Sequence, residues 1–299
     1  MPLLYEVPEY KKLRVIIDTD AACEADDPFA IAHALMSKKL VVKGILAEQF
    51  GSPETTKQSY EEILTVLEAM ELEAPVFMGE EGKLSAVAEK APSPAVTFLI
   101  EEALREDEKP LYVLCLGAIT NVARAIKECP EITKHMTVVW IGGQNPENFV
   151  KGHWEFNAGN DTEAANLVVS SGVEFWQIPN NVYGTMHIGL AEIQRRIYPC
   201  GKVGKHLFEN MITFNMSENA GWTAGESWSL GDSPAVGVVL EPNCGSFVYR
   251  EAPIFEEDTS YRFEAGRPRI RVYTSINSRF ILEDFIGKLE LMYGAEMNN

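Results

Sequence analysis

Five acidic side chains lie close together near the start of the chain, in the stretch DTDAACEADD. They follow an apolar, β-branched run and precede an apolar stripe at helical spacing, and they are Asp18, Asp20, Glu24, Asp26 and Asp27. Carboxylates held this close repel one another unless a cation neutralises them or their pKa values separate. Oxygen ligands without His or Cys suit a hard cation, Ca²⁺ or Mg²⁺, rather than zinc. The sequence therefore predicts a divalent cation site here.

Helix capping accounts for only part of this acidic stretch. Pro28 suits the first position of a helix and Asp26 or Asp27 suits its N-cap, so one or two of the acids could be caps. Asp18 and Asp20 instead leave the strand two residues apart and so project to the same side. These two carboxylates need another explanation.

Short β-branched runs alternate with longer amphipathic patterns through the first two thirds of the chain. Runs that are apolar on both faces, separated by helical patterns, are typical of a parallel sheet covered on both sides. Ligands bind such sheets at the carboxyl ends of the strands, which is where the acidic stretch lies. The predicted strands are 15–18, 41–47, 111–117, 136–143 and 173–179, and the predicted helices are 54–70, 118–126 and 161–172.

The last third of the chain has a different pattern. From about 188 to 230 it is mainly helical, and a final strand and helix, RIRVYTS and SRFILEDFIGKLELMY, close the sequence. No Ser/Gly/Pro-rich linker or internal repeat divides it. We therefore expect a single α/β domain over 1–299, with a mostly parallel central sheet flanked by helices and a helical insertion in the C-terminal third.

Composition excludes several classes of function. The net charge of -18, from 44 acids and 26 bases, gives no attraction to nucleic acids or anionic membranes. No stretch approaches the roughly 20 apolar residues of a membrane span, and the N-terminus lacks the basic start of a signal peptide. The five cysteines are scattered and form no CxxC pair. We expect a cytoplasmic protein that acts on a small molecule.

One class of enzyme with a D-x-D after its first strand is the haloacid dehalogenase type of phosphotransferase. It uses an Asp nucleophile with Mg²⁺ and needs a hydroxyl residue soon after the second Asp and an Asp pair late in the chain. Here Ala21 and Ala22 follow Asp20, and no late Asp pair occurs. A Mg²⁺-dependent phosphohydrolase with Asp18 as nucleophile is therefore a second hypothesis.

Pieces spread over most of the chain resemble the inosine-uridine-preferring nucleoside hydrolase family. They follow the family's order: IIDTD, DDPFAIAHAL, VVKGILA, APVFMG, LGAITNVARA, VWIGG, WEFNAGNDTEAA and GDSPAVGVV. The resemblance implies the Rossmann-like nucleoside hydrolase fold and Ca²⁺-dependent hydrolysis of the N-glycosidic bond of a nucleoside or related N-riboside to free base and ribose. It also implies a role in purine or pyrimidine salvage and a homodimer or homotetramer.

The resemblance assigns roles to individual residues in the acidic stretch and beyond. Asp20 and Asp27 match Ca²⁺ ligands, and Asp26 matches the general base that activates the attacking water. Thr120 matches a threonine whose backbone carbonyl completes the metal shell. Asp232 matches a late Asp that binds both metal and ribose.

Further matches concern the sugar and the base of a nucleoside. Glu155 and Asn157, in WEFN, match residues that grip the ribose hydroxyls, and Asn148 is the nearest match to another ribose-binding Asn. Trp222 and Trp228 lie where aromatic rings could stack on a leaving base.

The chain departs from the family pattern at two places. Five residues, AACEA, separate Asp20 from Asp26 where the family has three, so Glu24 is an alternative base, and Asp18 is expected to orient the loop. The family's inosine-uridine branch has a His as general acid where this chain has Gly231. This loss supports a third hypothesis, a catalytically impaired protein that binds ribose or a nucleoside.

Overall fold

The strands that the structure describes are short, all of them between two and eight residues long, and they form one large sheet and two small ribbons. A computed structural model describes residues 3–294, so the predicted domain, 1–299, extends beyond the described residues at both ends. In chain order the strands are β1 (Leu13–Thr19), β2 (Leu40–Ala47), β3 (Val76–Met78), β4 (Leu111–Cys115), β5 (Met136–Ile141), β6 (Glu174–Ile178), β7 (His187–Gly189), β8 (Ser227–Ser229), β9 (Gly245–Glu251), β10 (Ile254–Phe255), β11 (Tyr261–Arg262) and β12 (Arg269–Ile276).

The large sheet has eight strands in the order β3-β2-β1-β4-β5-β6-β12-β9. All neighbours pair in parallel except β9, which runs antiparallel to β12 at one edge. From β1 the chain builds outward through β2 and β3, and then returns to the other side of β1 with β4. The carboxyl ends of β1 and β4 therefore flank a topological switch point, where open α/β sheets bind ligands.

Helices cover both faces of this sheet. Ile16 and Ile17, neighbours in β1, belong to two different hydrophobic clusters, because successive strand residues point to opposite faces. Helices α1, α2, α10, α11 and α12 pack on the Ile17 face, and α4, α5 and α7 pack on the Ile16 face. The helices are α1 (Asp27–Met36), α2 (Pro53–Met70), α3 (Leu84–Val87), α4 (Pro94–Ala103), α5 (Thr120–Glu128), α6 (Phe156–Asn160), α7 (Thr162–Ser170), α8 (Asn180–Tyr183), α9 (Leu190–Glu192), α10 (Gly201–Asn215), α11 (Ser233–Leu240) and α12 (Ser278–Tyr293).

The predicted α/β architecture is confirmed, with differences at the edges. The predicted helical segment, 188–230, does contain α9 and α10, but the strands β7 and β8 bracket it and pair as an antiparallel ribbon. Strands of three residues are too short to leave a period-2 pattern in the sequence. Within residues 3–294, no helix has the combination of length and apolar character that crossing a bilayer requires.

Candidate active site

The acidic stretch forms the loop between β1 and α1, at the carboxyl edge of the sheet. Two alanines in this loop, Ala21 and Ala25, are fully buried and anchor it to the core. The Thr19 hydroxyl, at the end of β1, donates a hydrogen bond to the Asp27 carboxylate at the start of α1. The loop thus turns four of the five acidic side chains into a cavity of about 190 Å³, and these are Asp20, Glu24, Asp26 and Asp27.

Three carboxylates come together in this cavity. Asp26, Asp27 and Asp232 each place one oxygen within 4.8 Å of the others. Asp27 begins α1 and Asp232 precedes α11, so two helix N-termini, which favour negative charge, converge on the cluster. Burial raises the pKa of all three carboxyls, and the neighbouring carboxylates raise those of Asp26 and Asp232 further. Such a group favours a bound cation.

Asp20 lines the same cavity and approaches the loop after β4 closely. A Cβ on Gly117 would lie 2.6 Å from Asp20 Oδ1, so any side chain at position 117 would displace this carboxylate. Burial, and then the charge of Asp27, raise the pKa of Asp20. Asp20 therefore adds a fourth buried carboxylate to the wall of the cavity.

Asp18 lies beneath the cavity and does not line it. Its side chain is fully buried, and Asn121 Nδ2 donates a 2.8 Å hydrogen bond to Asp18 Oδ1. The Asn121 backbone N–H donates to Glu48 Oε2 at 3.0 Å. Burial raises the pKa of Asp18 to about 7. This position suits the predicted support of the loop, whereas a nucleophile would have to reach the substrate.

Glu24 and Asp26 both line the cavity, so their position alone leaves both as candidate bases. Burial, followed by the charges of Asp27 and Glu155, raises the pKa of Glu24 to about 7. Asp26 also belongs to the cluster of three carboxylates, and the Gly231 backbone N–H donates to its carboxylate. These contacts fix Asp26 more firmly than Glu24.

Glu155 and Asn157 also line the cavity, at the start of α6. Glu155 Oε2 accepts hydrogen bonds from the Gly143 N–H at 2.7 Å and the Ala158 N–H at 2.9 Å. Asn157 Nδ2 donates to the Leu116 carbonyl at 2.7 Å and to the Ile141 carbonyl at 2.9 Å. Because its amide donors are engaged, Asn157 has its Oδ1 left for a ligand.

Tyr183 is a site residue that the sequence left unassigned. It lines the cavity, and its hydroxyl donates a 2.9 Å hydrogen bond to Glu155 Oε1. Its ring lies 3.2 Å from the position that a Cβ on Gly231 would occupy. The sequence feature that could have identified Tyr183 is its position in the segment after β6, since the loops at this end of the sheet form the site.

The two tryptophans have different positions. Trp222 lines the cavity and is 65% exposed, whereas Trp228 is 2% exposed and does not belong to the lining. Their ring centroids are 5.4 Å apart. Trp228 therefore supports Trp222 from behind, and the ring of Phe156 provides a further aromatic surface in the cavity.

Thr120 and Asn148 do not belong to the lining of the cavity. Thr120 is the first residue of α5, so its carbonyl points along the helix, away from this edge of the sheet, and its hydroxyl donates to Asp161 Oδ2 at 2.9 Å. Leu116 does line the cavity, and its backbone carbonyl accepts a hydrogen bond from Asn157, another lining residue. Asn148 is exposed. The geometry favours neither the predicted Thr120 ligand nor the predicted Asn148 contact.

Sequence comparison settles the family. The profile described as "Inosine-uridine preferring nucleoside hydrolase" matches residues 15–279, from β1 to the start of α12. The chain belongs to this family. All the carboxylates that line the cavity fall within the matched nucleoside hydrolase region.

Individual relatives agree with this assignment. The chain is 31% identical over 209 residues to the pyrimidine-specific ribonucleoside hydrolase RihA of Salmonella typhimurium, and the match spans 61% of this chain and 65% of that enzyme. A purine-preferring ribonucleoside hydrolase from Gardnerella vaginalis has the same fold, with a TM-score of 0.75, 21% identity and coverage of 94% of this chain and 99% of that one. A plant nucleoside hydrolase gives a TM-score of 0.74 at 19% identity, covering 93% and 98%.

Proposed function

We propose that the protein hydrolyses the N-glycosidic bond of a nucleoside or related N-riboside, giving free base and ribose. The observation that carries the proposal is the meeting of Asp26, Asp27 and Asp232 in a cavity that Glu155 and Asn157 also line. The three aspartates suit a cation and a water molecule, and Glu155 and Asn157 suit sugar hydroxyls. Membership of the nucleoside hydrolase family supports the same reaction.

The donor set fits Ca²⁺. The side-chain donors of the cluster formed by Asp26, Asp27 and Asp232 are buried carboxylate oxygens, and a hard divalent cation would relieve their mutual repulsion. Asp20, Asp27 and Asp232 would hold the ion, and the geometry favours the Leu116 carbonyl over that of Thr120 as a further ligand. When bound, Ca²⁺ would balance two of these negative charges and make a nearby water more acidic.

Asp26 is the proposed general base. Breaking the C1′–N bond leaves an electron-poor sugar carbon, so the attacking water must lose a proton as it bonds to C1′. The Gly231 N–H holds the Asp26 carboxylate at the cavity wall, where it can accept that proton. Asp18 and Asn121 support the loop from below, and Glu24 is the alternative base.

Glu155 and Asn157 are the proposed ribose ligands. Three donors fix the Glu155 carboxylate: the Gly143 and Ala158 N–H groups and the Tyr183 hydroxyl. A carboxylate held in this way can accept hydrogen bonds from sugar hydroxyls without reorganising, and Trp222 would contact the base.

The test replaces the proposed general base, Asp26, by an amide of the same shape. Asp26→Asn should lower kcat by at least about 100-fold, because it removes the proton acceptor. The effect is measured as the rate at which free base is released from uridine, inosine and nicotinamide riboside in the presence of Ca²⁺. The matched control is Asp107→Asn, since Asp107 precedes β4 at the opposite edge of the sheet. It should retain wild-type activity.

Chelation completes the test. Activity should be lost on dialysis against a chelator and return with Ca²⁺, and Mg²⁺ should restore it less well.

Other outcomes would favour the alternatives. Near-normal turnover by Asp26→Asn would show that Asp26 is not the general base and would favour Glu24 in that role. Saturable nucleoside binding without any product would support the third hypothesis, a binding protein. Phosphate release from nucleotides would support the second hypothesis, a phosphohydrolase.

We further propose that the protein is a cytoplasmic, single-domain enzyme of nucleoside salvage. We also propose that it assembles as a homodimer or homotetramer.

A further inference from the structure

We propose that this site prefers an N-riboside whose base carries a fixed positive charge, such as a pyridinium riboside, over a neutral nucleoside. The preference presupposes the hydrolysis proposed above and names its substrate class. Three properties of the cavity wall support it: its acidic side chains, its engaged Tyr183 hydroxyl and its aromatic surfaces.

The wall of the cavity is rich in carboxyl groups. Among the residues that the structure describes, none that lines this cavity is Lys, Arg or His. A bound divalent cation balances two negative charges, so acidic side chains remain to attract a positively charged base. The carboxyl side chains of the wall are Asp20, Glu24, Asp26, Asp27, Glu155 and Asp232.

Among the described residues, the only hydroxyl group in the lining of the cavity is that of Tyr183, and it is not free to donate to a leaving base. A neutral base usually needs a proton as it departs, from an acid within hydrogen-bond reach. The hydroxyl of Tyr183 already donates to Glu155 Oε1, and the Tyr183 ring fills the space in front of Gly231, 3.2 Å from the position of a Cβ there. Position 231 therefore presents an aromatic surface and no acid.

Aromatic rings complete the wall on the side that opens to solvent. Trp222 and Phe156 line the cavity and are 65% and 39% exposed, so part of each ring is available to a ligand. Trp228 packs against Trp222, with 5.4 Å between the ring centroids. A cation over an aromatic ring is attracted by the ring quadrupole, and Trp is the strongest partner.

The reaction of a cationic riboside needs no acid. The water oxygen forms the new bond to C1′, and Asp26 accepts the proton of that water. The C1′–N bond breaks, and its electron pair returns to the ring nitrogen, which becomes neutral. The base therefore leaves as a stable neutral molecule, and the charge balances without protonation.

The first experiment compares charged and neutral substrates on the wild-type protein with Ca²⁺. The kcat/KM values for nicotinamide riboside, uridine and inosine are each divided by the rate of uncatalysed hydrolysis at the same pH, since pyridinium ribosides are intrinsically less stable. We expect the normalised value to be at least about tenfold higher for the charged substrate. Calorimetry should show 1-methylnicotinamide binding at least about tenfold tighter than nicotinamide, and this readout needs no turnover.

The second experiment tests the aromatic wall. Trp222→Leu should reduce the preference for the charged substrate by about 2-fold to 30-fold, the range of a cation–π contact. Tyr10→Leu is the control, because Tyr10 is an aromatic residue that is 82% exposed and does not line the cavity. It should leave the preference unchanged, and an equal loss in both variants would contradict a role for Trp222.

The possible failures are distinguishable. If no riboside is hydrolysed, the proposed function fails. Equal or better normalised values for uridine or inosine would overturn only the substrate class. Glu24→Gln provides a further outcome. If this variant still cleaves nicotinamide riboside but no longer hydrolyses a neutral nucleoside, Glu24 donates the proton to the leaving base. That result would also overturn the proposed preference.

Discussion

At the scale of single residues, a glycine decides how closely two loops of the site can approach. Gly117 follows β4, and a Cβ there would lie 2.6 Å from Asp20 Oδ1, closer than packed atoms allow. Asp20 is 3% exposed, so it has little room to move away. The proposed cation ligand at Asp20 therefore depends on the absence of a side chain at position 117.

Gly117→Ala should lower kcat/KM by at least about tenfold and weaken Ca²⁺ binding, because Asp20 must shift. Overpacking should also lower the free energy of unfolding by about 1–3 kcal/mol. Calorimetric Ca²⁺ titration and urea unfolding measure both effects. Gly287→Ala is the control, since no atom lies within 4 Å of a Cβ there, and in α12 it should stabilise by about 0.5–1 kcal/mol. If Gly117→Ala behaved like this control, Asp20 would not be a ligand.

At the scale of elements, one side-chain amide joins the carboxyl ends of three neighbouring strands to α5. Asn121 Nδ2 donates to Asp18 Oδ1 at 2.8 Å and to the Ala47 carbonyl at 3.1 Å, and Asn121 Oδ1 accepts from the Glu80 N–H at 2.8 Å. Ile119, just before α5, has a φ of 65°, which is costly for a β-branched residue. The turn between β4 and α5 thus holds a strained backbone in order to place Asn121.

Asn121→Ala should destabilise the protein by about 2–4 kcal/mol, because it leaves buried polar groups of Asp18, Ala47 and Glu80 without their partner. Urea unfolding measures the change. Asn148→Ala provides the control, since Asn148 is exposed, and it should change stability by less than about 0.5 kcal/mol. The same variant tests the ribose contact predicted for Asn148, which would raise KM without affecting stability.

The elements also show how far the sequence could predict this molecule. Strand β1 and helix α12 carry strong local patterns, so they were predicted to within a few residues. The positive φ of Ile119 and the antiparallel β9 depend on contacts distant in sequence. Tyr183 belongs to the site because of its contacts with Glu155 and Gly231, which no local pattern reports. The carboxylates of the stretch DTDAACEADD could be found from their types and spacing alone, whereas Asp232 and Glu155 were identified only through the family resemblance.

At the scale of the whole molecule, the buried carboxyls make stability depend on pH. Burial raises the pKa of Asp18 and Glu24 from their usual values near 4 to about 7, and those of Asp20, Glu48 and Asp232 also rise. In the folded protein these groups keep protons that the unfolded chain has released, so unfolding releases protons. Raising the pH from about 4 through about 7 therefore favours unfolding of the cation-free protein.

Urea unfolding in chelator should accordingly give a lower free energy of unfolding at about pH 8 than at about pH 6, by more than about 1 kcal/mol. The buried His33, whose pKa is lowered, acts in the opposite direction, but it is one group against several carboxyls. Ca²⁺ should stabilise the protein more at about pH 8 than at about pH 6, because its ligands must be deprotonated to bind it. Stability that rises with pH in chelator would show that other groups, and not these carboxyls, dominate the linkage between protonation and folding.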